Sequence, residues 1–421
     1  MRVTRNIHER INRYIECKEI REKEREFDKR VANLVRKDRK FSKKDDIELT
    51  EEQKKEVDAF WKKYEFAYVP NYDTFQIYMN RSGKFDPRYL PHGLRSQYLE
   101  RYMTNPLYRT AFQNKAYLAK IYGNIKQPVT VVRKIEGIYY DANYNQISLN
   151  TALKICLQRL EKTEIVIKPS GRSGGAGVVF LSEANEERLR EEFEKIPKLM
   201  MVQEALKQHP FMSRLNPSTV NTVRVTTYLR ESQVVLLAAV VKVGSQGVRV
   251  DNYKHGGCIL GICENGQSLP YALNVKMEKV TTLPSGIDVS KTIQIPSFDK
   301  VIELAKKAHL QTPKMKMISW DIAIGEDGEP VLIEANYGGA IWMHQLVTGP
   351  LFGELTEEVL DTYLLKKFYR IRANMDYTYK EYADHVEIIE CTGLRKHEEI
   401  PEYIHDKPVT KVRNKRKRRE V

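Results

Sequence analysis

Hydrophobic positions change their period along the chain, and each change marks a different kind of element. Over the first forty residues apolar side chains recur at loose helical intervals (Ile7, Ile11, Tyr14, Ile15, then Phe27, Val31, Leu34, Val35) among charges of both signs, which predicts exposed or partner-seeking helices. Thr50-Glu51-Glu52-Gln53 has the form of a capping box and opens a helix with Val57, Phe60, Trp61 and Tyr64 along one side, a stripe that reads as core. From Tyr68 to Pro106 the chain is rich in Tyr, Pro and Asn and includes Phe85-Asp86-Pro87-Arg88-Tyr89, so an irregular, aromatic-rich lobe that shapes a substrate mouth is expected there.

After Pro106 the pattern becomes regular. A helix is expected around Ala111 to Tyr122, a hairpin over Val129 to Tyr140, a helix after Asn150 through Leu160, and a strand at Ile165 to Ile167. A glycine-rich loop, a short strand around Val179 and a helix capped by Ser182 follow. Apolar runs at Leu199 to Gln203, Val220 to Leu229 and Val234 to Val243 lie too close in sequence for parallel crossovers, so antiparallel pairing is predicted. A helix from Asp299 to Ala308, capped by Ser297, precedes a last hairpin at Met317 to Asn336. The expected segments are a charged helical extension (1–48), an N-terminal lobe (49–110), a smaller α+β lobe with the loop (111–200), a larger α+β lobe (201–370) and a C-terminal extension (371–421).

Charge alters this picture only at the ends. Of the net +14, residues 1–50 contribute 16 Lys and Arg against 11 Asp and Glu, and residues 407–421 contribute 8 against 1, leaving the body nearly neutral. The run Lys411 to Arg419 reads as a solubilising tail or a contact for anionic membrane or an acidic polymer, because neither aromatic interleaving nor a recognition-helix pattern argues for sequence-specific nucleic acid binding. The five cysteines lack disulfide-framework spacing, Cys258 and Cys263 read as strand residues, and no long apolar run or signal-like segment is seen. The expected location is cytoplasmic, with the tail suited to the inner membrane face.

The last hairpin holds the most informative chemistry. If Asp327-Gly328 is a two-residue turn, residues whose numbers sum to 655 face each other, and Asp321 opposes Glu334. Alternation then brings Asn336 to the same face. Three oxygen donors so placed suit Mg2+ that also holds nucleotide phosphates, with Mn2+ as a substitute. The segment Lys168-Pro169-Ser170-Gly171-Arg172-Ser173-Gly174-Gly175-Ala176-Gly177 supplies backbone N–H groups for phosphate behind a strand lysine, and it matches neither a P-loop nor a Rossmann fingerprint.

Together these motifs resemble the ATP-grasp enzymes, and within them the sugar-transfer-associated group, over roughly Phe60 to Phe352. The resemblance implies an ATP-grasp fold: two α+β lobes with mainly antiparallel sheets, here preceded by a helical, aromatic-rich N-terminal region. It implies ATP held by Lys115, Lys168, Ser173, Gly174, Gly175, Glu204, Leu206 and Arg224, and a metal held by Asp321, Glu334 and Asn336. Lys168 and Arg224 take catalytic roles in this reading, and Asn221, Lys242, Asp251, Asn252 and His255 lie toward the acceptor substrate. The group resemblance rests on Phe85 to Tyr89, Leu215 to Arg224, Val250-Asp251-Asn252 with Gly256-Gly257, and Trp320-Asp321.

Two departures stand out. Strand alternation separates Arg224 from Asn221 unless a bulge intervenes. Ser319 also occupies the position, two before the metal aspartate, where many peptide-ligase relatives carry arginine. The resemblance implies an ADP-forming carboxylate-amine ligase working through an acyl phosphate on a small carboxylate and amine, with a polysaccharide-related or amino-acid substrate. The alternatives are a phosphotransferase on a small molecule or sugar, identified by a stable phosphorylated product, and a non-catalytic ATP-binding module docking on an acidic partner.

Overall fold

The computed structural model describes residues 45–64, 70–91, 94, 99, 103–104, 106–170, 176–247, 249, 256–338 and 342–363. The expected helices of residues 1–44, the loop residues Ser173, Gly174 and Gly175, the acceptor-side residues Asp251, Asn252 and His255, and the basic tail lie outside the described residues. The chain divides into two compact units, one formed by the residues up to 105 together with those from 349, the other by Pro106–Thr348.

In the first unit, α1 (Glu51–Lys62) starts at the expected capping box: Gln53 N donates to Thr50 Oγ1 (3.2 Å) and Thr50 N to Gln53 Oε1 (3.0 Å). Val57, Trp61 and Tyr64 are buried against α2 (Tyr72–Ser82), whose Phe75 ring meets Trp61 edge-on. The Phe85 to Tyr89 segment turns inward to support this core. Trp61 Nε1 donates to Pro87 O (2.8 Å), and Tyr89 is fully buried, stacked on Tyr78 with its hydroxyl 2.6 Å from Ser82 Oγ. Tyr89 is thus part of the core of this unit, whereas Phe85 is half-buried. Lys63 and Tyr64 bond Asp361 on α10 (Thr356–Tyr363), and Arg88 pairs with Glu354, which fastens the C-terminal helix to the N-terminal ones.

The second unit contains two sheets whose strand pairs are all antiparallel. Short connections require this of neighbours such as Thr130–Ile135 and Ile138–Asp141 or Thr222–Arg230 and Gln233–Val243, and the long-range pairs Thr130–Ile135 with Met200–Glu204 and Thr222–Arg230 with Met317–Ile324 follow the same sense. The expected single helix over 111–122 is instead broken. The helix α3 (Pro106–Phe112) ends, Asn114 takes an extended conformation with its side chain accepting from Ala116 N (3.0 Å), and a 3-10 turn (Lys115–Tyr117) leads into α4 (Leu118–Ile121). The six-stranded sheet has the order β3 (Gln146–Ile147), β2 (Ile138–Asp141), β1 (Thr130–Ile135), β6 (Met200–Glu204), β4 (Ile165–Pro169), β5 (Val179–Leu181). Ile165, Ile167, Met200 and Val202 pack against α5 (Leu149–Leu160) and α6 (Glu186–Glu194). Asn185, not Ser182, caps α6, accepting from Arg188 N at 2.9 Å.

The seven-stranded sheet has the order β11 (Lys279–Val280), β10 (Ser268–Asn274), β9 (Cys258–Ile262), β8 (Gln233–Val243), β7 (Thr222–Arg230), β12 (Met317–Ile324), β13 (Pro330–Asn336). Val223, Val225, Ile318, Trp320 and Ile322 face the core with α8 (Phe298–His309). Ser297 stands at the start of α8 but does not cap it, because its φ of 49° turns the side chain away from the helix amides. Beneath this face a closed relay runs from Trp320 Nε1 to Thr227 Oγ1 (2.8 Å), from Thr227 to His309 Nδ1 (2.7 Å), and from His309 Nε2 to Met315 O (2.7 Å). The indole and the carbonyl fix the directions: Thr227 accepts from Trp320, so its own proton goes to Nδ1, and neutral His309 is the state that fits. Burial pushes the His309 pKa down to about 4; the Met315 carbonyl opposes the shift and nearby Lys316 adds to it.

Candidate active site

Two register shifts place Asp321 opposite Glu334. The loop between β12 and β13 has three residues, Glu326, Asp327 and Gly328, closed by Gly325 N to Glu329 O (2.9 Å), with Gly328 at φ 77°. It is therefore not the two-residue turn the Asp-Gly pair suggests, and near the loop Ile324 faces Pro330 and Ile322 faces Leu332. A bulge at Ile333 then restores the lost residue, so Asp321 pairs with Glu334 and Ser319 with Asn336. The expected pairing is present for a different reason: a longer loop and a bulge cancel. The same bulge lets Leu332 and Ala335 both face the core while Glu334 and Asn336 share the other face with Asp321.

Arg224 is directly opposite Asp321 across β7 and β12 and grips it with two bonds of 2.7 Å, from Nε to Oδ1 and from Nη2 to Oδ2. Lys242, on β8 opposite Thr222 of β7, reaches diagonally across β7 to Asp321 Oδ2 at 3.1 Å, and Asn336 Nδ2 adds a bond at 3.3 Å. Burial alone would raise the Asp321 pKa. The charges and hydrogen bonds of Arg224 and Lys242 outweigh it and hold the carboxyl below its usual range. Glu334 is less enclosed, with 27% of its side chain exposed against 5% for Asp321, and it pairs with Lys115 Nζ at 3.2 Å. The break after α3 has a purpose in this geometry: it sets Lys115 at the head of a 3-10 turn, and the helix α4 that follows is tied down at its end, where Tyr122 meets Tyr337, just beyond Asn336, hydroxyl to hydroxyl at 2.6 Å.

The remaining expected residues distribute unevenly. Lys168 lies on the β4 face opposite the helices and donates to Gln203 Oε1 at 3.0 Å. Glu204 ends β6 and accepts from Arg159 at 2.6 Å, with half-buried Leu206 two residues on. Asn221 is not brought to the cluster. It is fully buried on the side of β7 that carries Val223, where its Nδ2 donates to Met212 O (2.8 Å) and Asn216 O (2.9 Å), so it braces α7 (Pro210–Leu215) and the turn that follows it. Alternation thus holds from Asn221 to Arg224.

Several contributors carry no mark in the sequence. Ser319 meets Thr226 Oγ1 at 2.8 Å, and Thr226 meets His344 Nδ1 at 3.1 Å on α9 (Trp342–Thr348), so a line of small hydroxyls occupies the position two before Asp321. Arg249 leaves the large-sheet side to form a two-bond pair with Glu164 (2.6 Å each) and to stack on the Phe180 ring at 3.7 Å, strapping the two sheets together.

The donors Asp321, Glu334 and Asn336 are all oxygen-bearing, and no cluster of three or more His, Cys, Asp or Glu exists among the described residues. Two carboxylates and an amide fit a hard divalent cation whose other positions are filled by phosphate and water. Among the described residues no helix is long and apolar enough to cross a membrane.

No curated protein matches the sequence. Among solved structures the chain is similar to the D-cycloserine synthetase DcsG (14% identity over 61% of this chain and 73% of that one, TM-score 0.38). It is also similar to the ATP-grasp ligase PsnB in complex with a minimal precursor (15%, 61% and 63%, 0.35) and to the D-alanyl-alanine synthetase A of Vibrio cholerae O1 biovar eltor (12%, 63% and 66%, 0.37). It spans under two thirds of the last two chains, and likenesses this distant carry no argument about what it acts on. The model of the family described as sugar-transfer associated ATP-grasp matches residues 94–359, well over half of the chain, and so this protein, with its two antiparallel sheets and paired acidic strands, belongs to the sugar-transfer associated ATP-grasp family.

Proposed function

We propose that the chain is an ATP- and Mg2+-dependent ligase that activates a carboxylate as an acyl phosphate and passes the acyl group to an amine. The observation that supports this most is the convergence of Asp321, Glu334, Asn336, Arg224, Lys242 and Lys115 on one side of the seven-stranded sheet. A substrate carboxylate oxygen attacks the γ-phosphorus, the bond to the β-phosphate oxygen breaks, and ADP leaves. An amine nitrogen then attacks the acyl carbon, the carbon–oxygen bond to phosphate breaks, and the amine proton goes to solvent. When held by Glu334, Asp321 and Asn336, Mg2+ supplies charge neutralisation at the phosphate oxygens. Lys115 and Lys168 bind phosphate. Arg224 and Lys242, already fixed by Asp321, bring positive charge to the transferring group without reorganising when charge develops. The family's description favours a carboxylate of a sugar-derived molecule, such as a uronic acid.

The test is phosphorus NMR of ATP and Mg2+ with the protein and pooled carboxylates, with and without pooled amines, and with Glu334→Ala as control. ADP and inorganic phosphate appearing only with both pools, and vanishing in the variant, support the ligase. A lasting phosphate ester indicates a phosphotransferase, AMP overturns the acyl-phosphate route, and unchanged ATP favours a binding module.

A further inference from the structure

The loop between β2 and β3 is built with more strain and more support than a surface turn needs. Asp141 organises it by accepting from Asn143 N (2.8 Å), Asn145 N (2.9 Å) and Asn145 Nδ2 (2.8 Å). Within it Tyr144 holds a φ of 66°, a left-handed conformation that asparagine tolerates better, although asparagines flank it on both sides. An outlier of this kind persists only where its surroundings over-determine it. Here the Arg133 guanidinium, itself buried, lies 3.7 Å from the centre of the Tyr144 ring, and Lys120 Nζ lies 4.3 Å from it. Arg133 is anchored in turn by the Asp141 and Ala142 carbonyls at 3.1 and 2.9 Å. The ring is therefore fixed by cations, and its hydroxyl has a set target: it donates to Ala116 O at 2.8 Å.

Ala116 is the middle residue of the turn that Lys115 begins, and Lys120 lies in the helix that follows. Tyr144 thus holds the segment twice, once just after Lys115 and once a turn later. We propose that Tyr144 is a positioning residue for Lys115: its strained backbone aims the hydroxyl at the Ala116 carbonyl and so fixes the Lys115 ammonium toward Glu334 and a bound triphosphate. The inference rests on the nucleotide reading above. It extends the site to a residue on the six-stranded sheet's outer hairpin that touches neither carboxylate.

The experiment is calorimetric titration of the full chain with Mg2+ and a non-hydrolysable ATP analogue, in the unaltered protein, Tyr144→Phe, Lys115→Ala and the double variant, each with a melting curve. Tyr144→Phe keeps the stacked ring and loses one hydrogen bond, so affinity should fall about fivefold while the melting temperature barely moves. In the Lys115→Ala background the same change should have no further effect. An unchanged affinity in Tyr144→Phe, or an equal loss with and without Lys115, overturns the positioning role alone. Absence of analogue binding by the unaltered chain overturns the nucleotide reading and this inference with it.

Discussion

The two sheets of the Pro106–Thr348 unit treat their polar faces in opposite ways. On the seven-stranded sheet the acidic centre is enclosed: Asp321 is buried and gripped by Arg224 and Lys242, so the site's charges are also part of what holds three strands together. On the six-stranded sheet Lys168 is only half-buried and donates to the neutral amide of Gln203. The contrast is one of enclosure: one sheet binds its cations to a buried carboxylate, whereas on the other a half-buried lysine donates to a neutral amide.

Substituting the centre of each arrangement should break or confirm this contrast. Asp321→Asn leaves two buried cations facing a neutral group, so stability should fall by roughly 3–5 kcal/mol and ATP turnover should disappear. Lys168→Met should lower nucleotide affinity with a stability change within about 1 kcal/mol. Urea unfolding of both variants decides the matter, and similar losses would show that the sheets are not built differently.

The next effect is a pH dependence confined to the seven-stranded sheet. His309 is neutral when folded, with its pKa pushed down to about 4 by burial, against about 6.5 in the unfolded chain. Between those values the unfolded state binds more protons, so stability rises with pH, and acidification from pH 6.5 to 4 should remove up to about 3 kcal/mol. Urea midpoints measured across that window should show the slope, and His309→Gln should flatten it. A slope that survives the substitution would assign the acid sensitivity elsewhere.

Within the hairpin itself, Asp321 and Glu334 differ as the two sheets do. Glu334 is partly exposed and pairs with a single lysine, so Glu334→Gln should leave stability nearly intact. In view of the proposed role of Glu334 as a metal donor, the substitution should nonetheless cost about a hundredfold in ATP turnover and in the affinity for Mg2+ measured with nucleotide present. Because the site has only two carboxylates, Mg2+ without nucleotide should bind weakly in the unaltered chain as well. Tight binding of the metal alone would show a resident site in place of a nucleotide-completed one.

How much of this was legible beforehand depends on range. The capping box at Thr50 and the alternation of β7 and β12 are local, and the sequence shows them directly. The Asp321–Glu334 pairing was legible only in outcome, since the three-residue loop and the bulge at Ile333 depend on how β13 packs. Asn221 reads as a polar residue near a site, but its role is set by carbonyls of a segment that doubles back onto it. Ser182 and Ser297 are plausible caps by type, whereas backbone conformation decides whether a hydroxyl reaches the helix amides. Tyr144 and Arg249 act through partners about 30 and 85 residues away in the chain, respectively, and no local pattern encodes such contacts.

The smallest effect tests what joins the two sheets. Arg249 is 49% exposed, and Glu164 is 26% exposed, so their bidentate pair is worth little by itself in water; stacking on Phe180 adds a contribution that salt screens less. The strap nonetheless spans from the end of the seven-stranded sheet to the strands flanking the glycine-rich loop. If it holds the Lys168-bearing sheet in place for the proposed nucleotide, Arg249→Ala should weaken Mg2+–nucleotide binding by about threefold at low salt. Arg249→Lys should restore little, because an ammonium can neither fork onto Glu164 nor stack flat on Phe180. Raising the salt toward 1 M shortens the screening length to about 3 Å, so the part of the loss due to the ion pair should shrink while the part due to stacking persists. A loss that is unchanged by salt and reproduced by Phe180→Ala would assign the strap to the ring, and an affinity untouched by either substitution would show that other contacts, such as the backbone bonds from His209 N to Ile324 O and from Glu326 N to Lys207 O, hold the sheets in place.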